Sequence, residues 1–504
     1  MERIHQLLDR WVKIQPHAKA FIDFDGRDVS YQDFALAIED ATTVLRAAGV
    51  VAGDRVMLVA ENSVATVAFL FAASRLDAWA SLLNARLTSV EIDKLKNHAE
   101  PRVLVFTTGV SSAAKHHAEE QMVTTHQGSF GEVMISSNDA AGAPEPVEED
   151  GKSQVAVLLY TTGTTGNPKG VMLTHNNLIS AAELSSGLRD LQPNDHLLLV
   201  LPITHVFGLA SVTLAAVNAG TTVELMPRFE PGPIFDALST RVTSFPAVPQ
   251  MHAQLMKYAR EQGIEKLEAR KLRYVSSGGA PLDPDWKASV EAFLGCPVCN
   301  GYGLTETAAG VAATSREQAI GNITVGPVFA RHEIKLIAQP GQDELQNGVG
   351  EVLVRGPNIM KGYYRNPEET AKALDKEGWF RTGDLGVIDD NEHLSIVGRC
   401  KELVIRSGFN VYPPEVEAAL TDHSDIVLAA VVGKTEKNGN EEVLAFVEKL
   451  AGSPVDAEQL HSFVKDRLVA YKRPSRIFIV DKLPAAATGK VLKYRVLDEF
   501  ADLL

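Results

Sequence analysis

Between residues 30 and 49 the apolar positions Phe34, Ile38, Ala41 and Leu45 recur every three to four residues, the spacing that lines them along one face of a helix. Ser30 stands just before this run with Asp33 three residues on, close to a capping box, and Gly49 supplies the stop. Upstream, Asp25-Gly26 sits between short strand-like runs and reads as a hairpin turn. Downstream the pattern changes. Residues 55–60 form a continuous apolar strand, and the apolar stretch 64–83, interrupted by Arg75 and Asp77, reads as a buried helix and not as a membrane span. Further apolar strands fall at 103–106, 155–160, 196–200 and 222–225. Strands that are apolar throughout, alternating with helices, predict an α/β fold of largely parallel sheets covered on both faces. From about Gly350 the strands shorten, alternate and carry frequent glycines, and the last ~100 residues read as a small α+β domain.

At 504 residues the chain is too long for one ordinary core. Hydrophobic residues make up 45% and charged residues 22%, which excludes a disordered or fibrous chain. The formal net charge of −15 speaks against a general nucleic-acid or membrane-surface binder, because both need a basic footprint. A local basic pocket for a small anion remains compatible with it. The three cysteines, Cys296, Cys299 and Cys400, fit a reducing compartment without a disulfide framework. Cys296 and Cys299 form a CxxC without a second ligand pair, so they read as small buried residues and not as a zinc site. The N-terminus lacks an apolar signal core, and a cytoplasmic location is expected. No internal repeat or long low-complexity tract occurs, and the run at 140–152 reads as a surface loop.

The sharpest chemical signal directly follows the strand at 155–160. Thr161, Thr162, Gly163, Thr164, Thr165 and Gly166 lead to Lys169 and Gly170. Glycine lets the backbone turn its N–H groups toward an anion, four hydroxyls add donors, and Lys169 adds a charge for phosphate oxygens. The spacing is not that of a Walker A loop. This segment resembles the phosphate loop of the adenylate-forming superfamily, which comprises acyl-CoA synthetases, adenylation domains and firefly-type luciferases.

Other motifs of that family follow in order over nearly the whole chain. Asn300, Gly301, Tyr302, Gly303, Leu304, Thr305 and Glu306 resemble its adenine and magnesium motif. Tyr302 offers a face on which a purine can stack, Thr305 a hydroxyl for phosphate, and Glu306 a hard oxygen suited to Mg²⁺. The segment 276–282, with Gly278, Gly279 and Ala280, resembles the strand end between acyl pocket and nucleotide. Residues 202–208 resemble the aromatic motif, with His205 near the carboxylate entrance and Val206 and Phe207 beside the acyl group. Val248 and Gly303 join that pocket in the resemblance. Residues 379–386 carry Asp384 in the position of the ribose ligand. In 398–403, Arg399 would contact ribose and phosphate, and Lys401 would be the hinge. Ser407, Gly408 and Phe409 would line the thiol tunnel. Lys490, in a Gly-containing loop near the C-terminus, resembles the catalytic lysine.

The resemblance implies a large N-terminal adenylation domain over 1–398, a hinge at 399–402 and a small mobile C-terminal lid at 403–504. It implies ATP, Mg²⁺ and coenzyme A as cofactor and co-substrates, a small carboxylic acid as the third reactant, and leaves a homodimer open. The expected activity is carboxylate–CoA ligation through an acyl-adenylate. Loading of a carrier protein is the alternative. Luciferase chemistry is disfavoured, because Ile405 stands where that branch places a second lysine. A dicarboxylic acid would want a fixed arginine, and the pocket-side segment 245–251 has none, which leaves the distant Arg273 as the one arginine still to consider. The small residues Gly278, Gly279 and Ala280 with Val248 predict a roomy apolar cavity for an aromatic or medium-chain acid.

Overall fold

The computed structural model describes residues 1–138, 141–162, 168–279, 282–338, 344–406, 409–435, 441–485 and 491–504. The chain forms two compact units: Met1–Glu333 with Arg355–Phe380, and Ile334–Val354 with Arg381–Leu504.

Among the described residues the larger unit carries two eight-stranded sheets. The first has Arg55–Ala60 at its centre, paired in parallel with Trp79–Asn84 and Val103–Phe106. Beyond Trp79–Asn84 come Val155–Thr162, then Pro168–Thr174 and Gly362–Tyr363, the last two joined antiparallel. The second sheet runs in parallel from Lys19–Ile22 through Thr222–Leu225, His196–Leu199, Ser244–Ala247 and Tyr274–Gly278 to Val298–Tyr302. This is the architecture that the apolar strands predict.

The helices Tyr31–Ala47 and Val64–Arg75 belong to the core shared by the two sheets. Ser30 and Asp33 close a reciprocal capping box at the start of the first, with both bonds at 3.1 Å. Phe34, Ile38, Ala41 and Leu45 are fully buried. The second helix is apolar on every side and buried on every side, as such a helix must be. It ends at Arg75, and Asp77 takes a left-handed φ of +52°, so the apolar stretch 64–83 is a helix and then a strand, not one helix. One continuous core links Phe21, Phe34, Val56, Leu58, Phe69, Phe71, Leu197 and Val223 from both sheets. Flanking helices cover the outer faces, with separate cores around Phe106 and Phe245.

Asn62 joins the two sheets. It follows the strand Arg55–Ala60 and is buried, yet its side chain finds main-chain partners in the second sheet and its loops. Its amide donates to Leu201 O at 3.0 Å and to Met226 O at 2.9 Å, and its carbonyl accepts from Ile203 N at 2.8 Å.

In the smaller unit, Glu333–Ile337, Gly350–Arg355, Phe380–Ile388 and His393–Arg399 lie side by side in one sheet. Ile426–Thr435, Glu441–Lys449 and Arg476–Ile479 form another. Its two faces alternate residue by residue. Val431, Val443, Ala445 and Val447 enter a core with Val416, Leu460 and Val464, while Ala430, Leu444 and Phe446 enter a second one with Val496. Cys296 and Cys299 are buried and free, as expected, and Cys400 is half-buried. Burial pushes the Cys299 thiol up to about 12 and that of Cys400 up to about 11. Among the described residues no helix is long and apolar enough to cross a membrane.

Replacing Asn62 with alanine leaves one donor and two acceptors of the main chain without these partners, inside a packed core. Each such loss costs about 1–3 kcal/mol, so Asn62→Ala should lower stability by at least about 2 kcal/mol in urea titrations followed by circular dichroism. A variant with the parent's midpoint and slope would show that the joint is not held by this amide.

Candidate active site

Thr161 and Lys169 are register partners across an antiparallel pair of strands, Val155–Thr162 and Pro168–Thr174. Lys169 is therefore held on a strand, where the sequence pattern suggested the end of a loop. Gly163, Thr164, Thr165 and Gly166 lie outside the described residues, as does the side chain of Thr162. The lysine strand is fixed on its other edge by Gly362–Tyr363, with Tyr364 N donating to Gly170 O at 2.7 Å. This places the Lys169 ammonium 4.7 Å from the centre of the Tyr363 ring, a cation–π contact. Its charge is met by Glu369, on the short helix Pro367–Ala373, in a direct ion pair. Lys372 also reaches Glu369, at 2.8 Å. Lys169 and then Lys372 hold the Glu369 carboxyl down to about 2. The same helix is tied to Tyr363, whose N–H donates to Thr370 Oγ1 at 2.9 Å.

Glu306 lies in the tight turn Thr305–Thr307, just after the strand Val298–Tyr302. The chain then passes through two alanines in left-handed conformation, Ala308 at φ +42° and Ala309 at +93°. Such strain persists only where the surroundings over-determine it. Here Thr307 Oγ1 accepts from Leu304 N at 2.9 Å, and the buried Asn358 amide donates to Thr307 O at 2.7 Å and Gly310 O at 2.6 Å. Gly303 is dictated by this loop: a Cβ there would stand 1.3 Å from Ala309 O. Its role is thus close backbone packing, whatever else it borders.

Tyr363 also reaches this turn. Its hydroxyl donates to Glu306 Oε1 at 2.9 Å, and burial followed by the nearby Glu306 charge pushes the phenol pKa up. The second carboxylate oxygen accepts no hydrogen bond from a described residue, and it is not among the buried unpartnered atoms. One accessible hard oxygen beside a lysine fits Mg²⁺, which takes one or two carboxylates and completes its shell with substrate phosphates and water. Glu306 would hold the ion in that way.

In the second sheet, the end of the strand Tyr274–Gly278 lies against Phe207, the first residue of a π-helical stretch, Phe207–Leu214. The Cα of Gly278 approaches Phe207 so closely that a Cβ would meet the ring at 3.2 Å. At Gly279 a Cβ would touch only Val248, at 3.9 Å, but its φ of +80° is left-handed. Val206 is buried, and His205 is exposed, with Nδ1 accepting from Phe207 N at 3.3 Å. Arg273 is spent elsewhere, on Asp195 at 2.8 Å and on the carbonyl of Arg189. The Asn300 amide is likewise engaged by the carbonyls of Ile323 and Thr324, and Gly301 pairs with Gly278 in the sheet. Tyr302 ends its strand half-buried, and Thr305 opens the Glu306 turn. Ala280 lies outside the described residues.

In the smaller unit, Asp384 and Arg399 are register partners and form an ion pair at 3.0 Å. Lys401 follows in an exposed turn, and Phe409 stacks on Tyr471 with centroids 4.7 Å apart. Ser407, Gly408 and Lys490 lie outside the described residues. Sequence reasoning missed Tyr363 and Glu369. Each lies about 200 positions from Lys169 and on a segment, 362–369, that carries only the modest signal of a Gly-Tyr-Tyr turn before a proline-started helix.

The model of the AMP-binding enzyme family matches residues 8–364, and that of the AMP-binding enzyme C-terminal domain matches 415–490. The chain belongs to the AMP-binding enzyme family. It is an AMP-forming acid–thiol ligase. Among relatives in this family, 4-coumarate–CoA ligase 2 of Oryza sativa is 33% identical, covering 93% of this chain and 87% of its own. A feruloyl-CoA synthase of an Amycolatopsis species is also 33% identical, over 97% of this chain and 98% of its own. Among solved structures, ATP-bound MatB of Rhodopseudomonas palustris superposes with a TM-score of 0.85 at 30% identity, covering 99% of both chains.

Within this candidate site the Tyr363 hydroxyl fixes the Glu306 carboxylate. Groups that orient a metal ligand are worth about 10–100-fold in metal affinity. Tyr363→Phe should therefore raise the Mg²⁺ concentration for half-maximal ATP–pyrophosphate exchange about tenfold, with the melting temperature little changed. An unshifted Mg²⁺ curve would mean that Glu306 needs no such support.

Proposed function

We propose that this chain joins an aromatic acid of the cinnamate or benzoate type to coenzyme A, through an acyl-adenylate formed from ATP. The observation that carries the choice of acid is the apolar cluster in which Gly278 lies against Phe207 and Gly279 beside Val248. None of the four bears a charge, and Arg273, the cation considered for a dicarboxylic acid, is taken by Asp195. Relatives named for coumarate and ferulate support the aromatic reading over a medium-chain fatty acid, and their naming as CoA ligases and synthases disfavours loading of a carrier protein. ATP dependence and three free cysteines support a cytoplasmic site of action.

A carboxylate is a poor electrophile, so it is first made into a mixed anhydride. One carboxylate oxygen attacks the α-phosphorus of ATP, the bond to the β,γ-pyrophosphate breaks, and acyl-AMP forms. The chain's task is to align two anions and to offset charge on the phosphoryl oxygens. In the proposed assignment Tyr302 stacks the purine, Gly279, Ala280, Asn300, Gly301 and Gly303 shape its surroundings, and Thr305 with residues 161–166 binds phosphates. Mg²⁺ on Glu306 would draw negative charge from them. Lys169 steadies the leaving pyrophosphate, Asp384 and Arg399 hold the ribose, and Lys490 bridges the carboxylate and the α-phosphate. His205 stands at the acid's entrance. The coenzyme A thiolate then attacks the acyl carbon past Ser407, Gly408 and Phe409, and AMP leaves. The change between the two half-reactions is a rotation of residues 403–504 against 1–398 about Lys401.

Two experiments test this reading. Lys490→Ala should slow adenylate formation by about 100-fold or more, while thioester formation from supplied acyl-AMP stays within about threefold. Equal loss in both half-reactions would remove Lys490 from the first transition state. The acid itself is tested by pyrophosphate release over a panel from propionate to decanoate, benzoate and coumarate, with and without coenzyme A. Val248→Phe, which avoids the left-handed Gly279, should cut kcat/KM for coumarate by at least about tenfold and leave propionate nearly unchanged. A uniform fall across the panel would place Val248 outside the acyl pocket.

A further inference from the structure

Four charges lie in a row beside the phosphate strand: Glu306, Lys169, Glu369 and Lys372. Tyr363 separates the first two, with its hydroxyl on Glu306 at 2.9 Å and its ring 4.7 Å from the Lys169 ammonium. Glu369 pairs directly with Lys169 and holds Lys372 at 2.8 Å. Glu369 is placed firmly: its own N–H donates to Asn366 Oδ1 at 3.1 Å, and Thr370, the next residue, is bonded to Tyr363. Nothing in the proposed reaction uses this carboxylate. A negative group aimed at the lysine that receives pyrophosphate is, on its face, a disadvantage, because it competes with the phosphate for the same ammonium.

We infer that Glu369 is a positioning residue that acts as a competing counter-ion for Lys169 and so weakens the hold on ATP and on departing pyrophosphate. This deepens the proposed function and rests on its assignment of Lys169 to the phosphates. Without nucleotide, Lys169 is held over the Tyr363 ring by Glu369. When the triphosphate arrives, the ammonium turns to the phosphate, and Lys372 remains to neutralise Glu369. After adenylate formation the carboxylate reclaims the ammonium, and pyrophosphate loses a contact at the moment it must depart. Lys372 makes the exchange workable: without a second cation, Glu369 would face the phosphates as a bare negative charge.

The test is Glu369→Gln, which keeps the shape and removes the charge. Inhibition by pyrophosphate and the KM for ATP are measured beside Lys169→Met and the double variant. The expected result is a fall of about three- to tenfold in both the inhibition constant and the KM, with kcat lowered because product leaves more slowly. Damage to the fold would weaken both constants, so a gain in affinity separates this role from a merely structural one. In the Lys169→Met background the Glu369 change should add less than about twofold, because its effect passes through Lys169. If Glu369→Gln leaves the constants unchanged or raises them while Lys169→Met raises them, the competition does not exist, and Lys169 keeps its place on the phosphates. If Lys169→Met itself moves neither constant, the assignment of Lys169 to phosphate falls, and the inference falls with it.

Discussion

A buried main chain must find partners for every N–H and C=O, and this requirement is sharpest where strands stop. Asn62 meets it at the joint between the two large sheets of the main unit. Its side chain works as a short piece of backbone, offering one acceptor and two donors to loops of the second sheet. Leucine would fill the space and leave those groups unpaired, and aspartate would bring only acceptors. The apolar helix Val64–Arg75 begins directly after this joint and fills the core between the sheets. The candidate site's strand ends, from Thr161 on one sheet to Gly278 and Tyr302 on the other, therefore inherit their setting from a contact made by none of the candidate site residues.

Within the site, the ordering principle is the sharing of one aromatic residue by two opposite charges. Tyr363 offers its hydroxyl hydrogen to a carboxylate and its ring face to an ammonium, and these are the two polar handles that a phenol possesses. Phenylalanine could serve the ammonium alone. The antiparallel ladder to Val171 sets both distances at once, since Tyr363 and Lys169 lie on adjacent strands. The Glu306 turn and Lys169 are thus coupled through a rigid sheet edge. The strained alanines at 308 and 309 add to the same rigidity, because Asn358 and Thr307 pin the turn from within.

Features set by neighbours in the chain were legible in the sequence. The capping box at Ser30 and Asp33, the strand 55–60 with its apolar run 56–60 and the burial of Cys296 and Cys299 depend on local pattern, and all appear as expected. The break at Asp77 was less legible, since a left-handed residue between a helix and a strand leaves hydropathy nearly continuous. Gly303 shows a subtler gap. Its place in a motif suggested a pocket wall, and its missing side chain also makes room for Ala309 O, a contact created by the fold of the following turn. Tyr363 and Glu369 were invisible for a plain reason. Their meaning comes from Lys169, nearly two hundred residues earlier, and only the strand ladder brings them together.

The cysteines carry a consequence for redox chemistry. A ligase that handles a free thiol co-substrate works beside a reagent able to exchange with any reactive sulfur of its own. Exchange proceeds through the thiolate, and a thiol held near 11 or 12 supplies almost none at neutral pH. Cys299 and Cys400 sit in that range, and Cys296 is raised as well, in each case chiefly because burial disfavours the anion. The cysteine thiols are therefore chemically quiet toward oxidised coenzyme, and mixed-disulfide capture is disfavoured chiefly by their burial, with nearby carboxylates such as Glu351 and Asp384 adding to it at Cys400.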